Sequence, residues 1–212
     1  RQKVFSKLIR ELTVAAKLGG PEPGDNPRLR LALDKALGAN MPKDTIERAI
    51  VRGSGDQEAE NLEETIYEGY GPNGVAIIVE TLTDNKNRTV AEVRHAFSKY
   101  GGSLGTDGSV AYLFTKVGQI VVENTDEEKI FDISVSNGAE EVEKGDENNL
   151  IISVESEEFH NLKNILEEQQ IKINQYELIM KASNSVELDD EASEKVINLL
   201  ESLEDLDDVQ NV

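Results

Sequence analysis

The spacing of apolar residues predicts that the chain begins with three helices. Apolar side chains recur at every third or fourth position over residues 2–18, and Gly19-Gly20-Pro21 ends this first pattern. A second pattern starts at Asn26-Pro27, where Asn is a favoured N-cap and Pro a favoured first helical residue. A third follows Met41-Pro42, with Asp44 and Glu47 at capping-box spacing, and residues 52–56 are predicted to be a linker after it. Three short helices with short connections indicate a three-helix bundle over residues 1–55.

After residue 55 the spacing of apolar residues changes and becomes typical of alternating strands and helices. A strong turn, Gly71-Pro72-Asn73-Gly74, joins two strand-like segments, and Thr89 with Glu92 has the capping-box spacing of a helix start. Residues 110–115 alternate as a strand does. Residues 118–182 follow the order β-α-β-β-α-β, which is the ferredoxin-like order.

We therefore predict an α+β, multidomain protein, with an N-terminal three-helix bundle followed by two ferredoxin-like α+β domains, one inserted in the other. The predicted domains are a basic helical domain, 1–55, an α+β domain made of 62–115 plus 173–212, and an inserted acidic domain, 118–172. The discontinuous domain is inferred because the strand–helix–strand tail resembles the missing second half of the 62–115 unit.

Charge is distributed unevenly along these segments. The chain carries 22 Lys and Arg against 42 Asp and Glu, a net charge of −20. Residues 1–55 hold eleven of these bases and six of these acids, so this part is +5 and the remainder is −25. A protein this acidic is repelled as a whole by nucleic acid, but its helical part is not.

The bases of the helical part lie on helix faces. At about 100° per residue, Lys3, Lys7, Arg10 and Lys17 share one stripe of roughly 80°. The predicted nucleic-acid-binding set is completed by five bases of the second and third helices: Arg28, Arg30, Lys35, Arg48 and Arg52. Clustered bases can neutralise phosphates, and an ordinary solvated helix face is the alternative. The contrast with the acidic remainder favours phosphate contact.

Three polar loops, 68–74, 83–89 and 101–108, are a second candidate surface. Their candidate contact residues are Tyr70, Asn73, Lys86, Arg88 and Ser103. Glycine lets a backbone approach a partner closely, whereas plain turn chemistry explains the same residues and is favoured by the pattern alone. The aromatic residues between 67 and 114 are predicted to fill cores.

Nothing in the sequence indicates catalysis. The chain has no Cys, and neither His95 nor His160 belongs to a two-His metal spacing. The acidic clusters at 140–141, 157–158 and 204–208 are interpreted as solvated faces. We predict no enzyme activity, no catalytic or metal-binding residue, no cofactor and no small-molecule substrate.

The chain is also predicted to be cytoplasmic. No apolar run approaches the ~18 residues of a membrane span, and no leader segment is present, so no membrane partner is expected. Because the chain opens at Arg1 partway into a helical pattern, we expect further residues to precede it.

Four long runs carry a resemblance to a known family. They are FSKLIRELTVAA (5–16), NPRLRLALDKALGANMPKDTIERAI (26–50), YEGYGPNGVAIIVETLTDNKNRT (67–89) and GGSLGTDGSVAYLF (101–114). They closely resemble the YebC/PmpR family, which includes a mitochondrial translational activator of cytochrome c oxidase. The resemblance implies three domains and a bacterial cytoplasmic protein described as a probable DNA-binding transcriptional regulator. The basic Gly-His-Ser-Lys-Trp-type segment with which family members begin is absent here.

The main hypothesis is therefore a nucleic-acid-binding regulator of gene expression, and specifically a DNA-binding transcriptional regulator that uses the basic helices. The alternative is a ribosome-associated translation factor, because some members of the family it resembles help the ribosome through proline-rich stretches. In that case ribosomal RNA and the ribosome are the partners. An acidic protein-interaction scaffold is a third, less specific hypothesis.

Overall fold

The computed structural model describes residues 2–55 and 61–212. In chain order its helices and strands are α1 Gln2–Gly19, α2 Pro27–Gly38, α3 Lys43–Ser54, β1 Glu63–Tyr70, β2 Ala76–Thr83, α4 Lys86–Lys99, β3 Ser103–Leu104, β4 Phe114–Glu123, α5 Glu127–Ser136, β5 Ala139–Lys144, β6 Asn149–Glu155, α6 Phe159–Glu168, β7 Ile173–Ala182, α7 Asp190–Glu204 and β8 Val209–Asn211. The predicted class, N-terminal helices followed by two antiparallel-sheet parts, is confirmed.

The three N-terminal helices pack through small side chains. Their buried core is Leu12, Ala15, Ala16, Leu29, Ala32, Ala36, Met41, Ile46 and Ala49. Asn26 joins two helices, because its Oδ1 accepts from the Leu29 N–H at the start of α2 while its Nδ2 donates to the Ala15 carbonyl of α1. The predicted Asn cap is therefore present, and it also fixes the α1–α2 connection.

Helix α3 differs from its prediction at both ends. Its N-cap is Pro42, without a side-chain cap, so the capping box proposed at Asp44 and Glu47 does not form. The predicted linker 52–56 is helical as far as Ser54, and Asp56 lies outside the described residues. Gly53 lies in this last turn, where a Cβ would lie 2.1 Å from the Thr13 carbonyl oxygen of α1. The backbones of α1 and α3 therefore approach closely at this glycine.

The first sheet has the strand order β3-β1-β2-β8, with every neighbouring pair antiparallel. Its central pair is the β1–β2 hairpin, closed by a one-turn 3-10 helix in which Asn73 has φ +59°. One face packs on α4 and α7 through Ile77, Val79, Val93, Ala96, Phe97, Leu199, Leu203 and Val209. A sequential hairpin at the centre distinguishes this sheet from the ferredoxin order.

The second sheet has the order β5-β6-β4-β7 and is also antiparallel. With α5 between β4 and β5 and α6 between β6 and β7, it has the ferredoxin-like arrangement expected for this part of the chain. Strand β7 pairs with β4 from Phe114↔Ala182 to Val122↔Ile173. The boundary predicted at 173 therefore differs from the structure, because the β4–β7 ladder, with one register shift at Val121/Val122, holds residues 173–182 in the second sheet.

Two compact units result. One contains the chain up to Leu113 together with Ser185–Val212, and the other is Phe114–Asn184. The division of the first unit into a separate helical domain and a sheet domain stays a prediction. Within the residues that the structure describes, no helix is both long enough and apolar enough to cross a membrane.

Candidate nucleic-acid interface

The cationic stripe of α1 contacts the acidic turn, which is residues 204–208 between α7 and β8. Lys3 Nζ lies 2.9 Å from the Asp205 carboxylate and 2.9 Å from the Asp205 carbonyl oxygen, and Lys7 donates to the carbonyl of Glu204. The hydrogen bond with Asp205 raises the pKa of Lys3, whereas burial lowers the pKa of Lys7. Both bases are thus engaged within the first unit.

Asp208 is the centre of this contact and is buried, with 2 % of its side chain exposed. Its Oδ1 accepts from Arg10 Nη1 at 2.8 Å and Arg88 Nη2 at 2.8 Å, and its Oδ2 accepts from Arg88 Nε at 3.0 Å and Thr89 Oγ1 at 2.8 Å. Burial alone would raise the pKa of Asp208, but the hydrogen bonds from Arg88, Arg10 and Thr89 lower it to about 2. The solvated role proposed for residues 204–208 is wrong at Asp208.

The network also corrects the predicted start of α4. The helix begins at Lys86 and is capped by Asn85, whose side chain accepts from the Arg88 N–H. Thr89, expected at the cap, is buried instead, and its hydroxyl lies 2.7 Å from that of Thr83. Asp208 is 119 residues away in the sequence, so no local pattern indicates this partner.

A cleft of about 430 Å³ lies over this network. Its walls hold five acids and three bases: Asp84, Glu92, Asp205, Asp207 and Asp208 against Lys3, Arg10 and Arg88. The excess of acid opposes phosphate binding there. The predicted contacts Lys3, Arg10 and Arg88 are therefore already engaged with acids of the first unit.

Two other predicted bases are paired with acids of the same unit. Arg28 of α2 bridges Glu11 of α1 and Glu64 of β1, at 2.7 and 2.6 Å. Lys86 lies 2.7 Å from Glu63, and this partner raises the pKa of Lys86. These pairs connect the helices to the first strand.

The remaining predicted bases of the helices are more accessible. Lys17, Lys35, Arg48 and Arg52 are exposed, and Arg30 is partly exposed. Arg30 donates to the Gly24 carbonyl, and Arg48 donates to the Asp44 carbonyl of its own helix. The ammonium groups of Lys17 and Lys35 make no hydrogen bond or ion pair with any residue in the described part of the chain, although Lys17 adds to the effect of Lys86 in lowering the pKa of Glu63. The structure thus separates the nine predicted bases into two groups. The internal group is bonded to other elements of the first unit and consists of Lys3, Lys7, Arg10 and Arg28. The external group is Lys17, Arg30, Lys35, Arg48 and Arg52.

The three candidate loops do not converge on one place. Loops 68–74 and 101–108 meet at one end of β1, where a Cβ on Gly102 would lie 2.6 Å from the Tyr70 carbonyl oxygen. Loop 83–89 follows β2 and lies at the opposite end of the hairpin, since Thr83 pairs with Glu63. Eight-residue strands separate the two ends by about 25 Å. Tyr70 and Ser103 are register partners at the first end, and Asn73 is exposed in the adjoining turn.

A buried carboxylate orders this first end. Glu68 accepts from the backbone N–H groups of Gly108, Val110 and Ala111 at 2.7, 3.0 and 2.6 Å. Burial would raise the pKa of Glu68, but these three donors outweigh it and the pKa lies below its ordinary value. The strand predicted over 110–115 is interrupted for this reason. Residues Ala111–Leu113 form a one-turn 3-10 helix, and β4 begins at Phe114.

The aromatic residues predicted to fill cores are partly buried and partly exposed. Phe97 is fully buried and Tyr67 and Tyr100 pack on the same core, as predicted. Tyr112 is 73 % exposed, contrary to the prediction that it fills a core. The alternation of residues 110–115 did not reveal this, because the backbone there bonds to Glu68. Among the described residues, no group of three or more His, Cys, Asp or Glu is arranged to hold a metal ion.

An N-terminal helical bundle that retains exposed bases, followed by two antiparallel-sheet parts, defines a multidomain α+β protein with a basic helical N-terminus. Family models match both parts: "TACO1/YebC protein N-terminal domain" over residues 1–56 and "TACO1/YebC second and third domain" over residues 62–212. The chain belongs to the TACO1/YebC family, as the four sequence runs indicated.

Its relatives carry a common description. Proteins of Pseudomonas putida, Alcanivorax borkumensis and Coxiella burnetii, each named "Probable transcriptional regulatory protein", are 54% identical to this chain. The alignments cover 100% of this chain and 86%, 87% and 87% of those proteins. The crystal structure of a conserved hypothetical protein, Aq1575, from Aquifex aeolicus is similar with a TM-score of 0.89 and 48% identity, covering 100% of this chain and 88% of that one.

Proposed function

We propose that this chain is a nucleic-acid-binding regulator of transcription that acts in the cytoplasm by binding DNA rather than by catalysis. The names of its relatives support regulation of transcription. The observation that supports a contact with nucleic acid is the group of exposed bases on α1–α3, in a chain whose net charge is −20.

The division of the bases defines which of them make the proposed contact. Lys3, Arg10 and Arg28 already have carboxylate partners in the first unit. Lys17 and Lys35 form no ion pair with a described carboxylate, and Arg48 donates to a backbone carbonyl and a Thr hydroxyl, both uncharged. Since a cation without a carboxylate partner keeps most of its attraction for phosphate, Lys17, Lys35 and Arg48 carry the proposed interface. We expect the affinity for DNA to be that of non-specific binding and to fall steeply as the salt concentration rises.

Charge reversal on the external group tests this assignment. The double variant Lys17→Glu with Lys35→Glu is expected to bind a fluorescent DNA duplex about tenfold or more weakly than the parent chain. The slope of log K against log salt is expected to fall by about 0.9 for each phosphate that the variant no longer neutralises. Fluorescence anisotropy over a series of salt concentrations measures both quantities.

A matched control separates local contact from total charge. Lys116→Glu with Lys129→Glu changes two exposed lysines of the second unit and alters the net charge of the chain equally. Parent-like affinity in this control, with weaker binding by the first variant, supports the proposal. Equal weakening in both variants assigns the effect to total charge and contradicts the assigned interface. No binding of the parent chain to DNA at low salt contradicts the proposed function.

A further inference from the structure

Two tyrosine side chains lie in solvent at the end of β1 where loops 68–74 and 101–108 meet. Tyr112 is 73 % exposed and Tyr70 is 37 % exposed. Both belong to the same corner of the fold, because the Tyr70 hydroxyl contacts the Ser109 carbonyl three residues before Tyr112, and burial and Tyr112 both raise the pKa of Tyr70. Aromatic side chains ordinarily contribute a large buried area, so a mostly exposed tyrosine beside a second one is unusual.

The backbone that presents Tyr112 is held by Glu68. Its carboxylate binds the N–H of Gly108, Val110 and Ala111, and Tyr112 follows directly in the 3-10 turn Ala111–Leu113. The Tyr70 hydroxyl donates to the Ser109 carbonyl at 3.4 Å, so both tyrosines are anchored to the same loop. A buried carboxylate is unfavourable unless it is fully hydrogen-bonded, and here the bonds order the tyrosines before any partner arrives.

The surroundings carry little charge, in contrast to the rest of the chain. Residues 69–79 contain no Asp, Glu, Lys or Arg, and residues 98–113 contain only Lys99 and Asp107. In the chain as a whole, 30% of the residues are charged and acids are in excess. With Glu68, which lies just before the first stretch and is hydrogen-bonded to the loop, these segments hold two acids and one base, so their own acidic field is weak compared with that of the rest of the chain.

We propose that Tyr70 and Tyr112 form a stacking platform for an unpaired nucleobase of a nucleic-acid strand. The proposal rests on the proposed nucleic-acid function and adds a second, non-electrostatic contact to it. Stacking on a tyrosine ring is available to every base, because every base has a π-face. Bases within a duplex are already stacked and paired, so the platform favours single-stranded over duplex ligand. Single-stranded DNA and RNA share this chemistry.

A tryptophan reporter tests the contact directly. The chain contains no Trp, so Tyr112→Trp in the full chain introduces one fluorophore at the platform while keeping an aromatic ring. An oligothymidylate of about 15 nucleotides is expected to quench this emission as it binds. The matched control is Phe131→Trp, at a residue on α5 that is 49 % exposed, and its emission is expected to stay unchanged. An oligouridylate arm compares RNA with DNA.

Affinity measurements complete the test. By anisotropy with the labelled oligothymidylate, Tyr112→Ala is expected to bind roughly 5- to 100-fold more weakly than the parent, because it cannot stack on a base. Tyr112→Phe, which keeps the ring, is expected to bind like the parent. If the oligonucleotide binds but Tyr112→Trp is not quenched, or if Tyr112→Ala binds normally, the platform is disproved and the nucleic-acid function stands. If neither single-stranded nor duplex nucleic acid binds, both proposals fail.

Discussion

Two buried carboxylates of the first unit are stabilised in different ways. Asp208 is surrounded by the charged side chains of Arg10 and Arg88 together with the Thr89 hydroxyl. Glu68 has only backbone N–H donors. Asp208 therefore joins elements distant in the sequence through side-chain charge, whereas Glu68 orders a single loop without using any cation.

The difference explains which side chains of the first unit are left available for the proposed contacts. At the Asp208 network, bases that were predicted to meet nucleic acid are matched by acids of the acidic turn. At the Glu68 loop, no base is needed, and two tyrosines remain exposed beside it. Asp208, which is hydrogen-bonded by side chains, thus occupies bases that would otherwise be candidate contacts. Glu68, which is hydrogen-bonded by the backbone, occupies no base and leaves the neighbouring tyrosines exposed.

The largest effect is expected from Asp208→Asn. The variant leaves Arg10 without an anion and Arg88 with only Asp84, and it places an amide against two guanidinium groups. Breaking a buried ion pair typically lowers the free energy of unfolding by about 3–5 kcal/mol, and because both arginines are partly exposed we expect about 2–4 kcal/mol here. Urea unfolding measures the change.

The exposed neighbour of Asp208 is the control for this variant. Asp207→Asn is expected to change the free energy of unfolding by less than about 0.5 kcal/mol. If Asp208→Asn unfolds at the same urea concentration as Asp207→Asn, the network does not contribute to stability as the geometry indicates.

A smaller effect is expected from Glu68→Gln. The amide keeps the shape of the side chain but replaces one acceptor oxygen by a donor, which then opposes a backbone N–H. We expect a decrease of about 1–2 kcal/mol in the free energy of unfolding. Hydrogen exchange at the amides of Gly108, Val110 and Ala111 is expected to accelerate, while exchange in α1 stays unchanged. Uniform acceleration throughout the first unit would contradict a local role.

The two carboxylates are also expected to differ in the pH range over which their contribution to stability is lost. Both have a folded-state pKa below the ordinary value, so the stability that each adds is present at neutral pH and is lost as the pH falls through the folded pKa. For Asp208 this decrease lies between about pH 4 and about pH 2, and for Glu68 it begins below about pH 4.5.

Unfolding at a series of pH values separates these contributions. Glu68→Gln is expected to flatten the fall in stability that starts below about pH 4.5, and Asp208→Asn to flatten its most acidic part. An unchanged acid profile in both variants would assign the fall to other carboxylates.

Elements governed by short-range patterns were predictable from the sequence. The first helix, the Asn26 cap, the Gly71–Gly74 turn and the ferredoxin-like order of the second unit follow from local periodicity and turn chemistry. The basic character of the helical segment was also evident from composition alone.

Features that depend on distant partners were not predictable. Asp208 contacts Thr89, which is 119 positions away in the sequence, and Glu68 contacts Gly108, which is 40 positions away. Gly53 packs against Thr13, which is also distant in the sequence. No local pattern encodes these contacts. The strand expected at 110–115 failed because its N–H groups bond to Glu68. Likewise, a helical projection places Lys3, Lys7 and Arg10 on one face but does not show that the acidic turn covers it.

The smallest effect on stability is expected from Asp205→Asn, at the exposed edge of the same contact. Lys3 and Asp205 are both well exposed, so water and salt screen their attraction, and no measurable change in the urea midpoint is expected. The variant removes the carboxylate partner of Lys3 but keeps its hydrogen bond to the Asp205 carbonyl, and it is expected to tighten DNA binding slightly at low salt. A destabilisation comparable to that of Asp208→Asn would show that the exposed edge, and not the buried carboxylate, holds α1 to the acidic turn.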